Sequence, residues 1–289
     1  MQVSLFAPLI NPYHTPEFLA ALGPAAESRG FHSIWVGEHV LLFDDYASTY
    51  PYAKDGKIRV AEDAGLLENF TALAFLAAHT SRIRLGTGIC LVPQRNPVYT
   101  AKEAAAVDYL SGGRLDFGVG VGWLKEEFEA LGVPFERRGA RAREYLEVIR
   151  RLWCDPVSEF EGEFYTLPPS RQFPKPVQRP HPPIFFGGES EAALRRVADL
   201  GQGWYGFNLT PEEAGERIGR LRALLAERDR RPKDVQIAVG AYLHPVDAAA
   251  VARYREAGID QLVLLLLARN VGEMQARLDS FAEDVLAAA

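Results

Sequence analysis

The stretch SIWVGEHVLLFDD places two titratable groups, Glu38 and His39, directly after the short apolar run 33–37. An imidazole beside a carboxylate suits proton transfer, because imidazole titrates near neutrality and an acid can orient or stabilise it. Other groups able to do chemistry recur at the same kind of place, just past an apolar run. They are His14, Arg95 and Asn96, the segment 123–127, the turn 187–190, Asn208 and His244, whereas His79 and His181 come just ahead of such runs. Metal-ligand spacing is missing: there is no His-x-His after the first run, no Cys pair, and no Asp of the seventh or eighth run beyond Asp260, which precedes its run. GGESEAA also lacks the Gly-x-Ser-x-Gly of a nucleophile elbow. Neither a metal nor a serine nucleophile is expected.

The elements that must position these groups can be read from short apolar runs for strands and three-and-four spacings for helices. Strands fall at 3–8, 33–37, 83–92, 115–121, 184–187, 203–207, 235–243 and 261–267. Helices follow each: one capped by Thr15 with Pro16 at its first position, then 66–80, 97–110, 140–153, 190–200, one opened by the capping box Thr210-Pro211-Glu212-Glu213, 247–257, and a last one closing the chain. Apolar rather than alternating strands imply parallel pairing under a layer of helices. The simplest solution is a single (β/α)8 TIM barrel spanning 1–289, with insertions after the second and fourth strands and before the fifth. A doubly wound sheet would want a glycine-rich turn after its first strand, and LINPYHTP has no glycine. In a barrel the catalytic groups sit at the carboxyl ends of strands, which is where Glu38 and His39 fall.

With 289 residues, 48% hydrophobic and 24% charged, the chain can bury a large core. A net charge of −6 offers no broad basic surface for nucleic acid or an anionic membrane, so a small-molecule partner is expected. Cys90 and Cys154 are far apart and suggest no disulfide framework, which fits a reduced cytoplasm. The longest apolar run, LVLLLLA, is far too short to span a bilayer. Two glycine-bearing stretches leave alternatives open. In FGVGVGW the glycines at alternate positions suit either a tight barrel interior or a flat ring lying across the strand ends. In FFGGESEAALRR, Ser190 either simply caps a helix or joins its free amides in holding a phosphate.

Three stretches together, GFHSIWVGEH, RIRLGTGICLVPQRNPVYTAKEAAAVDYLSGGRLDFGVGVGWLKEEF and PIFFGGESEAALRRVADLGQGW, resemble the luciferase-like superfamily of flavin-type oxidoreductases. The likeness is closer to its coenzyme F420-dependent branch, and it covers essentially the whole chain. The resemblance implies a TIM barrel whose mouth holds a deazaflavin ring against a bulge after the third strand, with a non-proline cis peptide matching Gly88-Ile89 and Ile89 as the backstop. It implies His39 as general acid or base, with Glu38 orienting it or bonding the ring system. Val121, Gly122 and Trp123 match the strand end that touches the ring and its ribityl chain, and Gly187, Gly188 and Ser190 match the phosphate turn. Some F420-dependent sugar dehydrogenases carry a polar and an acidic residue where this chain has Val121 and Trp123, a departure that argues against the same hydrophilic substrate. Many relatives read Arg-His-Pro where this chain has Arg95-Asn96-Pro97. The resemblance thus implies hydride transfer between F420 and a small organic substrate by a homodimer. The alternatives are a two-component FMN monooxygenase fed by a separate reductase, and a non-catalytic flavin-binding barrel. The loop FDDYASTYPYAKDG and the segment LKEEFEALG are expected to form a lid over an apolar substrate.

Overall fold

In the computed structural model, which describes residues 1–53, 55–58, 61 and 63–289, the apolar runs become short strands, each leading into a helix. The chain runs β1 (Gln2–Phe6), β2 (Ile10–Asn11), α1 (Pro16–Ser28), β3 (Ser33–Val36), β4 (Gly65–Leu66), α2 (Asn69–Ala78), β5 (Arg84–Thr87) and α3 (Pro97–Ser111). It continues through β6 (Leu115–Val119), α4 (Lys125–Ala130), α5 (Arg138–Cys154), the antiparallel hairpin β7 (Ser158–Glu161) and β8 (Thr166–Ser170), then β9 (Ile184–Gly187) and α6 (Glu191–Leu200). The last units are β10 (Gly203–Gly206), α7 (Pro211–Ala226), β11 (Gln236–Gly240), α8 (Ala248–Glu256), β12 (Gln261–Leu265) and α9 (Val271–Asp284). Parallel pairing closes β1, β3, β5, β6, β9, β10, β11 and β12 into a barrel, the (β/α)8 architecture that the strand pattern implies.

The apolar content of the strands follows from their being buried on both faces. Trp35, Phe185, Tyr205, Ala238 and Val263 point inward and fill the barrel, with Trp35 edge-on to Phe185 at 5.2 Å between ring centres. Ile34, Val36, Leu85, Leu262 and Leu264 point outward into the helix layer. Each such buried side chain contributes on the order of 2 kcal/mol by leaving water. Local chemistry sets the helix starts. Thr15, Asn96, Ser190, Asp247 and Asn270 each accept a backbone N–H of the first turn, and Thr210 with Glu213 forms the expected capping box.

Several boundaries differ from the sequence reading, each for a local reason. The third barrel strand stops at Thr87, because the chain bulges at the cis Gly88–Ile89 peptide and its ladder resumes only where Cys90 bridges to Val119. The fourth ends at Val119, so Val121 lies beyond it. Helix α2 begins at Asn69 rather than 66, since Gly65–Leu66 pairs with Ile10–Asn11 and Glu68 then caps the helix through the Phe70 and Thr71 amides. The short α4 was not anticipated. Residues 54, 59, 60 and 62 of the long loop after β3, where the lid is expected, lie outside the described residues. No helix among the described residues is long and apolar enough to cross a membrane.

Candidate active site

Imidazole and carboxylate do meet at the exit of β3, but the carboxylate is Glu127 on α4. His39 Nδ1 lies 3.2 Å from Glu127 Oε2, which also accepts from Gln94 Nε2 at 3.0 Å. Glu127 Oε1 accepts the Val40 and Leu41 amides at 2.7 and 3.2 Å. The Glu127 side chain is fully buried, and burial alone would raise its carboxyl; the bonds from His39, Gln94 and Leu41 outweigh that and hold it below its ordinary value. An ionised carboxylate only accepts, so Nδ1 carries the proton that faces it, and whenever the ring is neutral the lone pair is on Nε2. Among the described residues nothing bonds Nε2, and the ring stands edge-on to Trp123 at 5.9 Å.

Glu38 does not orient His39, as one sequence expectation had it. Its carboxylate turns the other way, accepting the Leu91 amide at 2.5 Å and pairing with Arg95. Burial raises its carboxyl above the ordinary value, with Arg95 and the Leu91 amide opposing. Arg95 also binds Glu103 at 2.7 Å and Glu68 at 3.2 Å and lies over the Phe70 ring, so its place is structural. Glu38 thereby ties the exit of β3 to the residue just past the bulge.

The bulge explains the alternating glycines. A Cβ on Gly118 would sit 1.9 Å from the Thr87 carbonyl oxygen, and one on Gly120 would sit 2.0 Å from Ile89 Cδ1. A Cβ on Gly187 would likewise come within 2.7 Å of that methyl. The Ile89 side chain therefore lies in a slot between the ends of β6 and β9, so these glycines make room for the chain's own bulge. Gly122, at φ 76°, approaches Phe128 and Gln94 closely and begins the turn into α4.

At the turn after β9, Gly188 adopts φ 103° and the Ser190 hydroxyl accepts the Ala193 amide at 3.2 Å, so Ser190 caps α6. The earlier amides of α6 keep no partner within the helix. Glu189 folds inward instead: it accepts the Phe207 amide at 2.7 Å and the Tyr52 hydroxyl at 3.0 Å, and burial raises its carboxyl. The loop after β3 thus reaches across the mouth. Tyr46 and Tyr50 pack on Trp123 at 5.7 and 5.1 Å, Tyr52 packs on Phe207 at 4.2 Å, and Glu126 accepts the Ala47 and Ser48 amides at 2.7 and 3.1 Å. Below them the hydroxyls of Tyr205 and Tyr242 bond each other.

Elsewhere the candidates take ordinary roles. His14 packs on Phe18, Asn96 caps α3, and Asn208 ties the loop after β10 to the loop after β11, accepting the Leu243 amide at 2.9 Å while its carbonyl oxygen meets His244 Nε2 at 3.2 Å. Among the described residues no group of three or more His, Cys, Asp or Glu is placed to hold a metal. A cleft of about 820 Å³ opens at the opposite, amino-terminal end of the barrel, lined by Gln2, Gln202, Gln236 and Asp260, and shares no residue with this site.

The model of the luciferase-like monooxygenase family matches residues 1–284. The chain belongs to that family. An uncharacterised member from Mycobacterium tuberculosis is 31% identical over 279 residues, covering 93% of this chain and 95% of its own. The FMNH2-dependent dimethylsulfone monooxygenase of Pseudomonas putida is 33% identical over 190 residues, 64% of this chain and 51% of that one. Among solved structures, an F420-dependent secondary alcohol dehydrogenase, in complex with an F420–acetone adduct, superposes with a TM-score of 0.77 at 19% identity over 100% of this chain and 99% of that one. At that identity the likeness speaks for the barrel fold. Membership makes the chain a barrel of an oxidoreductase and monooxygenase family, and its coenzyme is the finer question.

Proposed function

We propose that this chain is an F420-dependent oxidoreductase, a single barrel domain over residues 1–289, that passes a hydride between the deazaflavin coenzyme and a small organic substrate at the carboxyl-end mouth. The observation that carries the reading is the His39–Glu127 pair: an imidazole fixed in one tautomer by a buried carboxylate, with Nε2 unbound at a strand exit. The residues present fit a flat ring with a phosphorylated chain. Ile89 and the bulge at Gly88 offer a firm apolar floor, Val121, Gly122 and Trp123 a wall, and the Gly187-Gly188 turn with Ser190 and the open amides of α6 an anion cradle. When bound, F420 supplies a two-electron hydride carrier that reacts poorly with O2.

The chain's own groups do the rest. His39 holds or delivers the proton that accompanies the hydride, and Glu127 stabilises the imidazolium form while keeping Nε2 directed outward. Glu38 acts as a positioning residue that fixes the bulge through Leu91. Trp123, Tyr50, Tyr52 and Phe207 exclude water and favour an apolar substrate over a sugar. The reading includes a cytoplasmic homodimer that meets small molecules rather than nucleic acid or membrane, in keeping with a net charge of −6.

The second reading is a two-component monooxygenase that takes reduced FMN from a separate reductase, favoured by the likeness to the dimethylsulfone enzyme. Titration of the purified protein with F420 and with FMN, followed by fluorescence, separates the two. Micromolar or tighter F420 binding with weak FMN binding is expected, and saturation by FMN alone would overturn the F420 reading.

A further inference from the structure

Arginines along α6 are almost all engaged. Arg195 pairs with Glu191 at 2.9 Å, Arg143 and Arg228 share Asp199 at 2.7 and 2.5 Å, and Arg230 donates to the Val197, Ala198 and Gly201 carbonyls. Arg196 is the exception: half-buried, it has neither a hydrogen bond nor an ion pair among the described residues. Its guanidinium lies against the first turn of α5, where a Cβ on Gly139 would be 3.5 Å from Nη1. Next to it Arg138 donates to the Gly122 carbonyl at 2.9 Å and covers the Phe135 ring at 3.9 Å, but meets no carboxylate. That same turn of α5 starts at Arg137 with φ 56° and no side-chain cap.

Two half-buried cations side by side repel each other and have lost water, a cost that a bound anion removes. Burial and the neighbouring arginines indeed depress the basicity of Arg196. In a chain of net charge −6, two adjacent half-buried arginines without an ion pair among the described residues, Glu136 being the one carboxylate whose field reaches Arg138, are a selective feature. Its position says which anion. In this barrel α5 and α6 both start at the mouth, on either side of the Gly187-Gly188 turn. Arg196 stands roughly 9 Å of helical rise past Ser190, and a helical side chain leans back toward its helix start. The guanidinium is therefore placed beyond the Gly187-Gly188 turn, about a turn and a half along α6 from Ser190.

We propose that Arg196, with Arg138 beside it, forms an anion subsite on the rim of the mouth that takes the carboxylate-bearing tail of F420 beyond its first phosphate. The inference rests on the F420 reading above. FMN ends at its phosphate and has nothing to place there.

The test is a fluorescence titration of wild type, Arg196→Ala and Arg196→Lys with three probes: oligoglutamyl F420, its phospholactyl precursor without glutamates, and FMN. Wild type should bind the tailed form about tenfold more tightly than the precursor, the size of one charge-assisted contact. Arg196→Ala should abolish that preference without weakening the precursor, and Arg196→Lys should keep part of it. Equal wild-type affinity for tailed and untailed forms overturns the proposal, as does an Arg196→Ala variant that weakens both alike. Binding of FMN with neither deazaflavin instead defeats the F420 reading and the inference with it. Matching melting temperatures for the three proteins exclude a folding defect.

Discussion

Glu127→Gln is the sharpest perturbation the site offers, since one buried carboxylate receives four donors. A glutamine in its place keeps one accepting oxygen, and the Val40 and Leu41 amides cannot turn away, so that oxygen goes to them. The new amide nitrogen then faces His39 and Gln94. Turning the Gln94 amide over and moving the His39 proton to Nε2 repairs both contacts as neutral bonds. The net loss is then roughly 2–3 kcal/mol rather than the full strength of two bonds to an ion. For a chain of this size that lowers the melting temperature by about 5 °C. The chemical effect is larger, because the carboxylate that stabilises the imidazolium is gone and the neutral ring is held in the other tautomer, so hydride transfer should slow by about 100-fold or more in either direction. Two-dimensional ¹H–¹⁵N spectra of the imidazole read the tautomer directly, with no coenzyme present, and stopped-flow kinetics read the rate. An unchanged tautomer together with an unchanged rate would refute the assignment of Glu127 as the residue that orients His39.

His39→Ala should leave coenzyme binding largely intact while slowing hydride transfer by about 100-fold or more, a split visible by comparing titration with single-turnover kinetics. Gly120→Ala should destabilise the protein by about 1–3 kcal/mol, because its methyl would meet Ile89 Cδ1 at 2.0 Å; adding Ile89→Ala should recover much of the loss in a denaturant-melt double-mutant cycle. Glu27 accepts the Ser81, Arg82 and Ile83 amides at 2.9, 2.7 and 3.0 Å, and these bonds outweigh burial to bring its pKa from 4.5 to about 2. A depressed carboxylate stabilises the fold above its unfolded pKa and loses that contribution on acidification. The stability gap between wild type and Glu27→Gln, about 2 kcal/mol at neutral pH, should therefore close as the pH falls from 4.5 toward about 2, as followed by thermal melts.

What could be read from the sequence is what short-range chemistry decides. The run Ser33–Val36 is apolar because both its faces are buried, and Thr210 with Glu213 forms its box within a single turn, so strands, caps and the closed barrel follow from local pattern. The placement of Glu38 and His39 at a strand exit follows from the same pattern. Their partners do not. Glu127 is 88 residues from His39 and Arg95 is 57 from Glu38, and adjacency in sequence suggested a pairing that the turn after Val36 breaks by sending the two side chains in opposite directions. The alternating glycines also needed three dimensions: only the Thr87 carbonyl and the Ile89 side chain show why Gly118 and Gly120 tolerate no methyl. Ser190 caps its helix, and that bond leaves the earlier amides of α6 free of partners within the helix, so the cap and the anion cradle share one residue. The bulge at Gly88-Ile89 was legible by family likeness, since no periodicity marks it.

Glu126 and Glu127 are neighbours on one short helix, yet they grip successive parts of the same strap. Glu126 fastens Ala47 and Ser48, and Glu127 fastens Val40, Leu41 and the imidazole itself. Cover and acid–base group thus hang from a single hook. A displacement of α4 large enough to unfasten the strap would also part His39 from the carboxylate that holds it, so the strap and the imidazole are coupled mechanically through two adjacent residues.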